Sequence, residues 1–194
     1  MSADTSTHTT MVEKIHGRAG WGFLSVTRIL IGFTFLWAFL DKTFGLGFAT
    51  GRDRETGAIT LGGPDAWING GRITEGYLGS SSGPFAEFFQ NLGTQAWTDW
   101  FFMLGLLGVG LALVLGVGTR IAMVAGPLML AMMYVSHSWP GQGGNTTNPF
   151  VDDHIVNSAA IIAIVILEAA YIQKIGFGEL WKRTELVKKN RWLV

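Results

Sequence analysis

Cysteine is absent from the 194 residues of this chain. That excludes thiolate metal sites, disulfide chemistry, covalent c-type haem and cysteine-ligated iron–sulfur clusters within it. Charge is scarce: Asp, Glu, Lys and Arg make up 14%, against about 25% in ordinary soluble domains. The formal net charge is zero, so nothing electrostatic favours nucleic acid as a partner. A cleavable signal peptide is not expected, because the first twenty residues are polar and Asp41-Lys42 follows the first apolar run. A phosphate loop is missing as well. Residues 76–83 are rich in Gly and Ser but lack the Gly-Lys-Ser/Thr ending, which rules out nucleotide binding there.

What the chain does have is apolar length. Hydrophobic residues reach 48%, with Trp 8, Phe 13 and Gly 27, the aromatic and small-residue enrichment of membrane helices and their interfaces. Four stretches read as transmembrane helices in an all-α bundle: 21–40, 101–118, 121–135 and 155–173. About 20 residues cross the hydrocarbon, so the third is short, and Pro127 within it is expected to kink it. Residues 1–20 then form a cytoplasmic N-terminal segment, 21–175 the membrane domain and 176–194 a cytoplasmic tail. With both termini in the cytoplasm, Lys14, Arg18, Arg120, Lys174, Lys182, Arg183, Lys188, Lys189 and Arg191 lie inside. Only Lys42, Arg52, Arg54 and Arg72 lie outside, which satisfies the positive-inside tendency of a cytoplasmic membrane.

Residues 45–96 form the one sizeable extramembrane loop, an outer cap with turns at Thr56-Gly57-Ala58 and Leu61-Gly62-Gly63-Pro64. Phe85, Phe88, Phe89 and Leu92 recur at helical spacing and predict a short surface helix over 84–92. Gly108, Ala112 and Gly116 are four apart, a spacing that admits a neighbouring helix closely. The tail alternates Leu180, Trp181, Leu186, Val187, Trp192 and Leu193 with basic residues, the pattern of an interfacial helix on the bilayer surface.

Ionisable groups near the spans mark the candidate chemistry. Arg28 lies about 10 Å inside the cytoplasmic end at 1.5 Å per residue, and Glu168 lies at similar depth in the fourth span. An unpaired charge there costs about 2.5 kcal/mol or more, so Arg28 and Glu168 are expected to pair. The pair is either a clasp between helices one and four or an inner proton or quinone-headgroup site. At the outer end, Asp41-Lys42, His137, Trp139 and the string Asn148-Pro-Phe-Val-Asp152-Asp153-His154 flank three helix ends. A carboxylate, a His and a Lys beside an apolar cleft can hold and protonate a quinone, whose reduction takes two protons. Trp37, Phe44, Trp139 and Phe150 offer aromatic walls.

Plainer roles compete. Asp152 or Asp153 suits the N-cap of the fourth helix, Lys42 can snorkel and Trp139 can belong to an aromatic belt. A metal site built from His137, His154 and Asp153 is possible by residue type, but their spacing lends it little support. The reading assigns chemistry to His154, Asp153 and Lys42, with His137, Trp139, Asp41, Arg28 and Glu168 around a bound quinone.

Thr27-Arg28-Ile29-Leu30-Ile31-Gly32 with Asp41-Lys42 resembles the first helix of DoxX-type membrane proteins, and Leu115-Gly116-Val117-Gly118-Thr119-Arg120 their second-to-third helix turn. Residues 70–78, Gly83-Pro84-Phe85-Ala86-Glu87-Phe88-Phe89 and 148–155 look like the DoxD subunit of thiosulfate:quinone oxidoreductase. The likeness covers roughly residues 20–175. It implies a four-helix membrane bundle that works with a second subunit, oxidises thiosulfate to tetrathionate outside and passes the electrons to quinone. Arg72-Ile73 departs from the Ser-Pro that the family pattern leads one to expect before Thr74. A non-catalytic subunit anchoring a larger membrane complex is the alternative. A small transporter fits less well, since no inverted repeat of broken helices is visible.

Overall fold

The computed structural model describes residues 3–53, 55–137, 139–140, 148, 150–170 and 175–193, without the side chains of residues 3–16, 18 and 170. Arg54, Pro149, Lys174 and the expected end of the last span, 171–173, lie outside the described residues, as do the side chains of Lys14 and Arg18.

The helical periodicity of the apolar runs translates directly into helices. The four long ones are α1 (Ala3–Phe44), α4 (Ala96–Leu115), α5 (Thr119–His137) and α6 (Asp153–Ala170). Between α1 and α4 come a 3-10 turn at Trp67–Asn69, α2 (Ile73–Leu78) and α3 (Ala86–Gly93). After α6 come α7 (Gly178–Lys182), α8 (Glu185–Lys189) and a 3-10 turn at Arg191–Leu193. Among the described residues no strand forms; one isolated antiparallel bridge joins Arg52 to Ile59.

Each long helix packs on two others, α1 on α4 and α6, and α5 on α4 and α6, which closes a ring. Phe35, Met103, Leu106, Val109, Leu113, Ala122, Leu130, Ile161 and Val165 fill its core. The outer faces are apolar too: Phe23, Leu30, Leu104, Val124 and Leu128 are all more than half exposed. Ala19–Phe44, Ala96–Leu115 and Thr119–His137 are each long and apolar enough to cross a membrane. Apolar surface on both sides of such helices suits lipid outside and packing inside, and it marks the chain as a membrane protein.

Several boundaries differ from the sequence reading. α1 begins at Ala3, because the polar N-terminal residues contain no Pro or Gly before Gly17 to stop a helix. α5, with Pro127 inside it, extends beyond the expected 121–135 at both ends, from Thr119 to His137. The 84–92 helix appears as α3, while α2 and the tryptophan turn were not anticipated. The tail is two short helices and a 3-10 turn rather than one helix; Val187 and Leu193 are buried, and the Phe177 amide donates to the Leu115 carbonyl at 2.8 Å.

Close approach also falls elsewhere than the spacing of four suggested. A Cβ on Gly108 would meet nothing within 4 Å, whereas one on Gly110 would lie 2.8 Å from the Leu36 amide nitrogen and one on Gly32 2.7 Å from Leu113 Cβ. Gly110 and Gly32 therefore bring α1 and α4 together, backbone against backbone. Gly116 instead ends α4 in the left-handed conformation, φ 72°.

Gly110→Val should destabilise the protein by about 1–3 kcal/mol through overpacking against a backbone that cannot yield. Gly108→Val should leave stability near that of the parent. Thermal unfolding of both variants in detergent checks the pair; equal melting temperatures would refute this helix contact.

Candidate functional site

The bundle has a tail end, where α4 and α6 finish, and a loop end, where α1 and α5 finish and α4 and α6 begin. At the tail end Arg28 and Glu168 do pair, Nε to Oε2 at 2.8 Å, both buried. The Ser25 hydroxyl donates to Glu168 Oε1 at 2.8 Å, and Arg28 Nη1 donates to the Leu113 carbonyl. Every charge is thereby met by a partner. These contacts join α1, α4 and α6, and Glu168 also lines a small cavity with Arg120, Trp181 and Lys182.

At the loop end the residues expected to converge divide into separate groups. Asp41 is buried, and its carboxylate accepts the amides of Phe48, Ala49 and Thr50 at 2.9–3.0 Å. It organises the turn after α1. Trp37 packs edge-on to Phe48, with ring centroids 5.0 Å apart, and Trp139 packs edge-on to Phe85 at 5.6 Å. Phe44 and Phe150 are exposed. These four aromatics do not wall a common cleft.

Asp152 caps α6 as expected. Its Oδ1 accepts the His154 amide at 3.0 Å and the Ile155 amide at 3.3 Å, and its Oδ2 lies 2.8 Å from His154 Nδ1. The carboxylate closest to His154 is thus the capping one. Asp153 stands 3.6 Å from the ring with its side chain 82% exposed. Ligand atoms of Asp152, Asp153 and His154 lie within 4.8 Å of one another, but His137 belongs to a different group.

His137 closes α5 against α2. Its Nε2 is 3.0 Å from the Tyr77 carbonyl and 3.3 Å from Ser80 Oγ, its Nδ1 is 2.8 Å from Ser136 Oγ, and its ring lies over that of Tyr77 at 4.1 Å. Burial pushes the Tyr77 phenol above its ordinary range; a hydrogen bond with Ser136 opposes this, and the Asp153 and Asp152 carboxylates add to it. The phenol therefore stays protonated, a hydrogen-bond donor at neutral pH.

Tyr77 stands at two cavities. The first, about 230 Å³, is lined by Phe89, Trp97, Phe101, Phe102, Met129 and Met133, among others, with Tyr77, Thr74, Thr98 and Ser136 as its polar residues. Trp97 and Phe101 are 58% and 67% exposed, so the cavity opens on the flank of the bundle. The second is lined by Lys42, Thr50, Arg52, Asp65, Arg72 and Tyr77, among others. Sequence reasoning missed Tyr77 and Ser136. Met129, Met132 and Met133, spaced as neighbours on one helix face, were the available signal.

A buried acid that sequence reasoning also missed fixes α2 between the cavities. Asp99 Oδ1 accepts the Thr74 amide and hydroxyl, both at 2.7 Å, and its Oδ2 lies 2.5 Å from Arg72 Nε. The Thr74 and Thr98 hydroxyls meet at 2.6 Å. Arg72, where the sequence departs from the DoxD pattern, is thus a structural partner of α4.

Arg28→Met should cost about 3–5 kcal/mol by leaving Glu168 buried and unpaired. The double variant Arg28→Met with Glu168→Leu should recover part of that loss. A thermal-unfolding cycle measures this, and strictly additive losses would exclude the clasp.

Comparison with protein-family models, with curated proteins and with solved structures found no match to this chain.

Proposed function

We propose that the chain is the membrane subunit of a quinone-linked oxidoreductase, with quinone bound in the flank-open cavity beside Tyr77. One observation carries this reading: an apolar, aromatic- and methionine-lined space, open on the side of the bundle, with Tyr77 in its lining. A quinone ring needs flat apolar walls and donors at its oxygens, and its isoprenoid chain needs an exit to lipid. Phe102 and Met133 supply walls, Tyr77 a donor, and the exposed face at Trp97 and Phe101 the exit. Ser136 and His137 stand behind Tyr77 as the route by which a proton is replaced.

The rest of the reading follows the resemblance to DoxX-type proteins. α6, whose Val156 and Ile166 are more than half exposed, serves as a fourth crossing of a cytoplasmic membrane with both termini inside. Two thiosulfate ions lose one electron each and join through a sulfur–sulfur bond, while quinone takes the two electrons and two protons to become quinol. The balance needs no redox centre in the chain. His154, held by Asp152, serves as a proton source near Tyr77, with Asp153 and Lys42 at the margin.

A partner subunit is the second reading, and the loop supplies its observation. Ile59, Leu61 and Ile68 are at least half exposed outside the three apolar spans, a surface suited to protein contact. Under it the chain anchors a larger complex and does not turn over quinone itself.

Binding of a short-chain ubiquinone analogue, followed by quenching of Trp97, should be saturable in the parent. Met133→Trp should abolish it by filling the cavity. Tyr77→Phe should bind the analogue yet reduce thiosulfate-dependent quinone reduction by about 10²-fold, the usual worth of a positioned proton donor. Unchanged binding in Met133→Trp would refute this site. Saturable binding with no turnover by the chain alone would favour the anchoring subunit.

A further inference from the structure

The second cavity has the opposite character. It lies between the end of α1, residues 49–52 and α2, encloses about 440 Å³, and carries Lys42, Arg52 and Arg72 against a single lining carboxylate, Asp65. Asp65 is exposed, so solvent screens it. Arg72 is engaged by Asp99 and lies 3.3 Å from Glu75, so little of its charge is available to the cavity.

Lys42 and Arg52 are different. Lys42 is half-buried and, among the described residues, its ammonium makes no hydrogen bond or ion-pair contact. The neighbouring Asp41 attracts it, but that carboxylate already accepts three backbone amides. Arg52 Nε is committed to the Gly47 carbonyl at 2.8 Å, which fixes the guanidinium stem and leaves its two terminal nitrogens without an acceptor among the described residues. The hydroxyl of Thr50, a buried lining residue, is likewise without a hydrogen bond there.

A partly desolvated ammonium with three donors and no acceptor is costly. A bound anion offsets that cost, and charge-assisted donors from Lys and Arg suit the oxygens of a compact oxyanion. We infer that this cavity is a binding site for a small divalent oxyanion, held by Lys42 and Arg52 with the Thr50 hydroxyl. As a site for an anionic reductant it rests on the quinone reading above. As an anion site it rests on these residues alone.

Isothermal titration of the purified full-length protein in neutral detergent tests it. Sodium thiosulfate, sulfate and phosphate are titrated separately, with sodium chloride at matched ionic strength as background. At least one divalent anion should bind saturably. Lys42→Met and Arg52→Gln should each weaken binding about tenfold or more, and Lys42→Arg should retain it within a few-fold because the charge persists. Lys182→Gln, at the tail end, should bind as the parent does.

No binding beyond chloride overturns the site, as does parental affinity in both Lys42→Met and Arg52→Gln. Should Lys42→Met fail to fold, the exposed Arg52 carries the test. Thiosulfate binding tighter than sulfate and phosphate supports the reductant assignment, and equal affinities remove it while leaving the anion site in place. The ubiquinone titration of Met133→Trp is separate, so failure of one reading is told apart from failure of the other.

Discussion

A guanidinium inside an apolar bundle must spend every donor it has, and Arg28 shows where they go. Its Nε meets Glu168 on α6, and Nη1 reaches the Leu113 carbonyl in the last turn of α4. The last carbonyls of a helix have no partners within the helix and carry the negative end of its dipole. Arg28 satisfies one of them, the Phe177 amide satisfies Leu115, and left-handed Gly116 turns the chain out of α4. One cation thereby ties α1, α4 and α6 at a single level, and the tail folds under them because α4 still has a carbonyl to offer.

The loop end solves the mirror problem with acids. Asp41 gathers three amides after α1, Asp99 takes the amide and hydroxyl of Thr74 in the first turn of α2, and Asp152 takes the His154 and Ile155 amides in the first turn of α6. Each carboxylate sits where backbone donors are unpaired, and a negative charge is favoured there. With these acids engaged by backbone, the groups left over at this end, among the described residues, include two cations, Lys42 and Arg52, a phenol, Tyr77, and two histidines oriented by neighbours. The separation of structural from available groups is a consequence of satisfying the loop backbone first.

This separation also explains what the sequence could and could not convey. Arg28 and Glu168 were readable as partners because depth along a helix follows from residue count alone. Asp152 was readable as a cap because capping is local. Asp41 looked like a site residue since the turn that fills its carboxylate has no composition of its own beyond glycine. Arg72 with Asp99, and Tyr77 with His137, pair across 27 and 60 positions, where no periodicity links them. Gly110 rather than Gly108 faces α1 because helix rotation is set by the packed partner. A spacing of four names a stripe without saying which stripe is used.

The two cavities that meet at Tyr77 make opposite demands on their walls. A ring bearing a lipid tail is stabilised by excluding water, and a small oxyanion by charge and hydrogen bonds that exclusion alone cannot supply. No single pocket serves both, so a chain handling both ligands needs two linings separated by little. Asp99 provides that economy. By anchoring Thr74 and Arg72 it holds α2 upright between them, with Tyr77 at the boundary. Loosening Asp99 would therefore disturb both proposed sites at once, although it lines neither cavity. Joint loss of ubiquinone-analogue and anion binding in Asp99→Asn, alongside separate losses in Met133→Trp and Lys42→Met, is the pattern that distinguishes a shared wall from two unrelated hollows.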